Sequence, residues 1–363
     1  MNKIIFREME FGLECKRDKN LFGKKMKRKL KNILVTGGAG FIGSHFIDEL
    51  FFRLENKTLS FSKAVNVDCL TYAGNKKNNA AVEKKYGGKR YFFEKVNVCD
   101  EKKVLKIFRD YNIDTVVNFA AETHVDKSIE NARSFVNTNV QGTFVLLECA
   151  KNFWQTKKGI IRRDVLFHQI STDEVFGALE KGCAKERAPY NPTSPYAATK
   201  AASDFLVQSF WKTYGLPVTI SHSSNNFGPR QFPEKFIPLA IESFLQEKKM
   251  PLYGNGEQKR DWIFVKDNVA AVILILQKGI AGERYNIASG KLKTNNEVLR
   301  TIIKLLSKKM NVCETEFENL IESVKDRLSH DVRYAMNCEK IHALGWSAKI
   351  SFEDGMREII YNV

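Results

Sequence analysis

The strongest constraint on this chain lies near its start. Residues 31–36 form a short apolar run that leads into Gly37-Gly38-Ala39-Gly40-Phe41-Ile42-Gly43, and residues 44–54 follow as an amphipathic stretch. Strand, glycine turn and helix in that order commit the chain to a βαβ beginning. Gly38, Gly40 and Gly43 satisfy a G-x-G-x-x-G spacing, while Gly37, Gly40 and Gly43 satisfy G-x-x-G-x-x-G. Such glycines let the backbone turn tightly and approach a pyrophosphate, whose charge rests on the helix N-terminus. A turn with no ligand would need them for packing alone. The next apolar run, residues 64–67, ends in Asp68. An acid there accepts both hydroxyls of an adenosine ribose and repels a 2′-phosphate, which predicts NAD rather than NADP.

The alternation continues down the chain. Residues 91–98 and 114–121 read as strands separated by a helix over 101–111; 134–153 reads as a helix, and 165–170 and 218–223 as further strands. This predicts an α/β chain with a doubly wound parallel (Rossmann) sheet over residues 31–225. Residues 226–363 are expected to form mainly a smaller α/β lobe over the strand ends, with a segment at about 261–288 returning to the first domain.

Chemistry concentrates between Ser171 and Lys200. Ser171-Thr172-Asp173-Glu174-Val175-Phe176-Gly177 follows the 165–170 strand, which puts its polar residues at a strand's carboxyl end, where open α/β sheets place ligands. After Asn191-Pro192-Thr193-Ser194-Pro195, a helix-starting sequence, Tyr196 and Lys200 stand four apart on one helical face. A nearby ammonium favours phenolate, so Lys200 is expected to lower the Tyr196 pKa and make it a base near neutral pH. Thr172, Asp173 and Glu174 add a hydroxyl and two carboxylates, a set able to handle more than one proton. Asp326 to Tyr334, with Arg327 and Arg333, suits phosphates and equally suits a solvated loop.

Composition excludes more than it identifies. The 363 residues are 43% hydrophobic, and the longest apolar run, residues 269–276, is too short to cross a bilayer. The formal charge of +16 would invite nucleic acid, but the first 31 residues alone hold 11 Lys/Arg against 4 Asp/Glu. Residues 1–30 therefore read as a basic, disordered extension, with Met26 a possible start. Without a basic stripe interleaved with aromatics, the charge suits an anionic substrate and cofactor rather than nucleic acid. The 7 cysteines are scattered with no C-x-x-C, so no metal site or disulfide framework is expected and a reducing cytoplasm is the simplest setting.

On Gly37–Gly43, Thr172 and Tyr196–Lys200 the chain resembles the extended short-chain dehydrogenase/reductases. On Thr172-Asp173-Glu174 it resembles, within them, the dTDP-glucose 4,6-dehydratases, which open the dTDP-rhamnose deoxysugar pathway. Further matching stretches are Val67-Asp68-Cys69-Leu70-Thr71-Tyr72-Ala73-Gly74-Asn75, residues 120–126, 223–229, Phe232-Pro233-Glu234-Lys235, 256–262 and Tyr285-Asn286-Ile287. The resemblance implies that Tyr196 takes the proton of the sugar 4-hydroxyl, with Thr172 bonded to the same oxygen, while NAD takes the C4 hydride. It implies that Lys200 holds the nicotinamide ribose, that Glu174 removes the C5 proton, and that Asp173 protonates the departing 6-hydroxyl. Phe41, Ile42, Asp68, Leu70, Thr71, Asn97, Val98, Ala120, Ala121, Thr138 and Asn226 would contact NAD. Thr123, Asn225, Lys235, Phe236, Pro251, Tyr253, Arg260, Asn286, Asp326, Arg327, His330 and Tyr334 would surround the nucleotide sugar. A homodimer paired through the Tyr196 helix and the long helix before it is also implied.

Phe176 and Phe227 replace common tyrosines, Ala197 and Thr199 replace frequent serines, and Leu328-Ser329 replaces a usual Pro-Gly, which opens the way to UDP-glucose. A nucleotide-sugar 4-epimerase or decarboxylase would use the same Tyr196 and Lys200 without needing Asp173 and Glu174. A catalytically silent NAD(H)-binding regulatory protein would have no need of an intact Thr172, Tyr196 and Lys200.

Overall fold

The computed structural model describes residues 28–325 and 331–362. Its strands are β1 (Asn32–Thr36), β2 (Lys63–Asp68), β3 (Tyr91–Lys95), β4 (Thr115–Asn118), β5 (Leu166–Thr172), β6 (Val218–Ser223), β7 (Asn225–Phe227), β8 (Met250–Tyr253), β9 (Lys259–Phe264), β10 (Arg284–Ile287), β11 (Leu292–Thr294) and β12 (Ile321–Val324). Seven of them form one sheet in the order β10-β6-β5-β4-β1-β2-β3, every neighbouring pair parallel. Parallel neighbours need long crossovers, and α1 (Phe41–Glu55), α2 (Glu101–Tyr111), α3 (Gly142–Trp154) and α4 (Pro195–Tyr214) supply them.

Both sheet faces are covered, which is why the strands read as apolar runs rather than as alternation. Ile33 and Val35 of β1 join one apolar layer with Phe46, Leu50 and Val272, whereas Leu34 joins the other with Phe108, Leu147 and Val207. The sheet's period of two thus sends alternate residues into two cores. α4 is bounded as its sequence demands: Ser194 caps it by accepting the Ala197 N–H at 3.1 Å, Pro195 opens it, and Gly215 ends it at φ 68°.

The second lobe holds α5 (Phe236–Leu245), the three-stranded sheet β11-β9-β7 and the pair β12-β8, around a separate core that includes Phe227, Phe244, Phe264 and Ile302. The chain returns to the large sheet later than the expected residue 261. Trp262 to Phe264 stay in the small sheet, pairing with β7, and α6 (Val265–Lys278) makes the crossing to β10. α7 (Asn295–Met310) then starts on a capping box formed by Thr294 and Glu297.

Three sequence boundaries move. Residues 28–30 belong to the fold and not to the basic extension: Leu30 is buried, and Arg28 donates to the Asp114 carbonyl at 2.6 Å. Strands β3 and β4 end at Lys95 and Asn118, because the following residues turn into loops along the crevice. The expected helix over 134–153 contains a π-helical stretch, Val136–Gln141, before α3. Such bulges commonly mark functional positions. Here Asn139, within the bulge, bonds both backbone groups of Glu122 and the Thr199 hydroxyl, clamping the loop after β4 to α4.

Candidate active site

Strand order reverses between β1 and β4, so a crevice opens at the carboxyl ends of these strands. Gly37 (φ 65°) would set a β-carbon 2.8 Å from the Ala120 nitrogen, and Gly43 would set one 2.3 Å from the Gly37 carbonyl. Backbone contact therefore forces both glycines. Gly40 differs, since its β-carbon would meet only the Gly37 oxygen, at 3.3 Å. Gly40 is also the N-cap of α1, with no capping side chain, which leaves the helix start open at Phe41 and Ile42. Asp68 ends β2 with Oδ1 accepting the Leu70 N–H at 2.8 Å and Oδ2 the Ala39 N–H at 3.0 Å, and burial pushes its pKa up.

The other expected dinucleotide contacts gather along the same edge. Thr71 is exposed beside Leu70, Asn97 accepts the Cys99 N–H at 2.9 Å, and Val98 packs over Gly142. Ala120 donates to the Thr36 hydroxyl at 3.3 Å, Ala121 follows it, and Thr138 sits in the π-helical stretch. Asn226 uses its amide nitrogen on the Ser224 carbonyl, leaving Oδ1 buried without a hydrogen-bond partner. Glycine cradle, uncapped helix start, strand-end acid and orphaned amide oxygen together fit a dinucleotide.

Thr172 closes β5, and its hydroxyl accepts the Glu174 N–H at 3.3 Å and donates to Asp173 Oδ1 at 3.2 Å. Asp173 is 3% exposed, and its Oδ2 has no partner. Burial, reinforced by the charge of Glu174, pushes its pKa up to about 8 although Arg260 opposes the shift. Asp173 therefore keeps its proton at neutral pH, as a general acid must. Glu174, half-buried, lines the cavity beyond. Tyr196 faces Thr172, and Lys200 donates to the Ile170 carbonyl at 2.6 Å.

The expected lowering of the Tyr196 pKa by Lys200 does not appear. Burial pushes the phenol up, Glu174 adds to that rise, and Thr172 counters it. Lys200 is itself pushed down to about 8 by burial, against the pull of Asp204. Desolvation outweighs the Coulomb attraction expected from spacing alone.

Between the large sheet and the second lobe lies a cavity of about 210 Å³. It brings together Glu174, Thr123, Asn225, Lys235, Phe236, Tyr253, Arg260 and Tyr334, which sequence had scattered over more than two hundred residues. Lys235 donates to the Thr123 carbonyl at 2.9 Å, and the Arg260 guanidinium lies 4.4 Å from the Tyr334 ring centre while donating to the Asp331 carbonyl at 2.7 Å. Two expected contacts stay outside. Asn286 is fully buried on β10, tied to His222, Ala184 and Asn337, and Pro251 lies in β8 paired with β12, away from the lining. Asp326, Arg327 and His330 lie outside the described residues.

Several lining residues escaped the sequence reading. Asp331 accepts from both Thr193 and Tyr334, joining the helix-starting loop to the last segment of the lobe. Gln231 Oε1, Glu234 Oε1 and Trp262 Nε1 are buried at the cavity without hydrogen-bond partners. Buried polar atoms are rarely left so, and several around one cavity mark a surface built for a polar ligand. No spacing rule could have found them, because their common address is spatial. His124 also lines the cavity, but it caps the helix Val125–Glu130 and burial pushes its pKa down.

Comparison with known proteins agrees with this geometry. The family described as GDP-mannose 4,6 dehydratase matches residues 34–359. A dTDP-glucose 4,6-dehydratase of Haemophilus influenzae is 48% identical, over 91% of this chain and 97% of that protein. This chain belongs to the dTDP-glucose 4,6-dehydratase family. A second family member, dTDP-glucose 4,6-dehydratase 1 of Escherichia coli K12, is 42% identical over 90% of this chain and 91% of its own. Among solved structures, the family member DesIV from Streptomyces venezuelae, crystallised with NAD bound, superposes with a TM-score of 0.82. That match has 37% identity and covers 92% of this chain and 98% of DesIV.

Proposed function

We propose that the protein is a dTDP-glucose 4,6-dehydratase, a hydro-lyase that converts dTDP-glucose to dTDP-4-keto-6-deoxyglucose and water. NAD, when bound, supplies a hydride acceptor for C4 and returns the same hydride to C6. Residues 31–225 hold it, with Gly40 and the start of α1 toward the pyrophosphate, Asp68 toward the adenosine ribose, and Asn226 toward the nicotinamide end. The lobe from residue 226 onward holds the nucleotide sugar.

Tyr196 accepts the proton of the 4-hydroxyl as the phenolate, a form that the positive nicotinamide of bound NAD would favour against the burial that raises its pKa, and Thr172 bonds the same oxygen. The ketone formed at C4 acidifies the C5 hydrogen, which Glu174 removes. Asp173 gives its proton to the 6-hydroxyl, which leaves as water, and Glu174 returns a proton to C5. Lys200, fixed on the Ile170 carbonyl, orients the nicotinamide ribose. The observation that carries this reading is the contrast between adjacent carboxyls. Asp173 is buried and holds its proton, while Glu174 faces the cavity. Neighbouring carboxyls in unequal environments divide acid and base work. An epimerase has no elimination step for such a pair to serve.

The protein acts as a homodimer through α3 and α4. Phe144, Phe205 and Tyr214, on these two helices, are 39%, 54% and 47% exposed, an apolar surface a monomer would leave wet. It works in the cytoplasm, in keeping with free thiols at all six described cysteines; among the described residues no helix is long and apolar enough to cross a membrane.

Proton NMR of the protein with NAD and dTDP-glucose or UDP-glucose in separate tubes tests the reading. A C6 methyl doublet beside a 4-keto sugar is expected, faster with dTDP-glucose. Galactose-type signals would replace this reading with epimerisation, and no change in either tube would favour a silent binder.

A further inference from the structure

One turn beyond Lys200 on α4, Asp204 continues the helical face of Tyr196 and Lys200 and is fully buried. Its Oδ2 accepts the Ser171 hydroxyl at 2.6 Å and the Tyr190 hydroxyl at 3.0 Å, and lies 3.4 Å from His222 Nε2. The Tyr190 hydroxyl is itself 2.7 Å from His222 Nε2, and His222 Nδ1 lies 3.1 Å from Asn286 Oδ1 on β10. One carboxyl thereby joins α4 to β6, to the loop before the helix, and to the residue that precedes Thr172 on β5.

Tying elements together does not require a charge, since an amide oxygen would accept from Ser171 and Tyr190 as well. Asp204 Oδ1 is moreover buried with no hydrogen-bond partner, a costly arrangement for a carboxylate. Lys200 gives the charge a purpose. Its ammonium is 4% exposed and donates to the neutral Ile170 carbonyl, and Asp204 is the charge that opposes its desolvation. We infer that Asp204 is a positioning residue for the C4 oxidation, the fixed counter-charge of the Lys200 ammonium and the tie that aligns α4 with the end of β5. The inference rests on the dehydratase reading. Asp204 is not among the residues that line the cavity, so it acts through Lys200 and Ser171.

The groups facing this core are Lys200 and Tyr196 on α4, His222 on β6, and Asp173 and Glu174 after β5. Tyr190 completes the set, with the Arg284 guanidinium 4.8 Å from its ring centre. The Asp204 charge raises both Lys200 and Tyr196. Removing it lowers both, so the pH range over which oxidation runs fastest moves down.

Two measurements test this. Melts of Lys200→Met, Asp204→Asn and the double variant need no substrate. The double variant is expected to lose less than the sum of the single losses, because it leaves neither charge uncompensated. If Asp204→Asn does not fold, a folded double variant carries the same meaning. Additive losses, or a double variant that also fails to fold, would overturn the inference. The second measurement is single-turnover reduction of NAD by dTDP-glucose across pH in a Glu174→Gln background, which isolates oxidation. Adding Asp204→Asn is expected to move the optimum down by about one pH unit or more and to slow the alkaline side by about tenfold. Tyr190→Phe removes a donor and keeps the charge, so the optimum should stay in place. A slower reaction with an unmoved optimum in Asp204→Asn would make the residue a structural tie alone and overturn the inference. Coupled melts with no turnover on either sugar nucleotide would remove the dehydratase reading and the oxidation role together, whereas additive melts in an active enzyme overturn the inference alone.

Discussion

Lys200 Nζ reaches across from α4 to the carbonyl of Ile170, 2.6 Å away on β5 and two residues before Thr172. The bond fixes the helix that carries Tyr196 against the strand that carries Thr172, Asp173 and Glu174. It also holds a buried ammonium whose pKa burial pushes down to about 8. Removing one member of a buried charge pair leaves the other uncompensated, here Asp204, and the Ile170 carbonyl loses its donor. Lys200→Met should therefore lower Tm as well as lowering kcat by about 10²-fold or more. A thermal melt and steady-state kinetics on the same preparation check both directions.

Tyr196→Phe and Glu174→Gln should fail at different steps. Without the phenol the C4 oxidation does not begin, so single-turnover absorbance shows no reduced nicotinamide. With Glu174→Gln oxidation proceeds and elimination stalls, so reduced nicotinamide and a 4-keto hexose accumulate. Full turnover by Glu174→Gln would remove the elimination role.

Asp173 makes stability depend on pH. Its folded pKa of about 8 lies above the ordinary 3.8, so between these values the native state holds a proton that the unfolded state lacks. Stability from this group is whole below about pH 4 and falls as pH rises toward 8. Asp173→Asn should flatten that slope and stabilise the protein at pH 8 by an amount on the order of a few kcal/mol. In the unsubstituted protein, kcat should fall on an alkaline limb near pH 8 as the acid is lost. Melts across pH and a kcat–pH profile measure the two effects.

Gly43→Ala and Gly40→Ala separate folding from cofactor binding. A methyl at residue 43 would press on the Gly37 carbonyl at 2.3 Å, so the turn must shift, at a cost of roughly 1–3 kcal/mol. At residue 40 the nearest atom is 3.3 Å away, so Tm should change little while NAD affinity drops. Melts and fluorescence titration with NAD distinguish them.

Phe205 is 54% exposed on α4. Phe205→Glu should convert a dimer to a monomer in size-exclusion chromatography with light scattering. Unchanged mass would place the dimer surface elsewhere.

What the sequence carried by itself was local and periodic. The glycine turn with its flanking strand and helix, Asp68 at a strand end, the Tyr196–Lys200 spacing and the Ser194–Pro195 cap are set by residues within a few positions of one another. Each came through with its element intact. Strand ends at Lys95 and Asn118 and the π-helical stretch at Val136–Gln141 were not legible, because long-range clamps such as Asn139 on Glu122 and Thr199 override local preference. Tertiary structure alone decided that Asn286 is buried beside His222 rather than in the cavity, and that Gln231, Glu234, Trp262 and Asp331 are at its wall. It also decided the protonation of the site. Sequence places Lys200 four residues from Tyr196 and predicts a lowered phenol. Burial depends on everything packed around the pair, and desolvation reverses the sign.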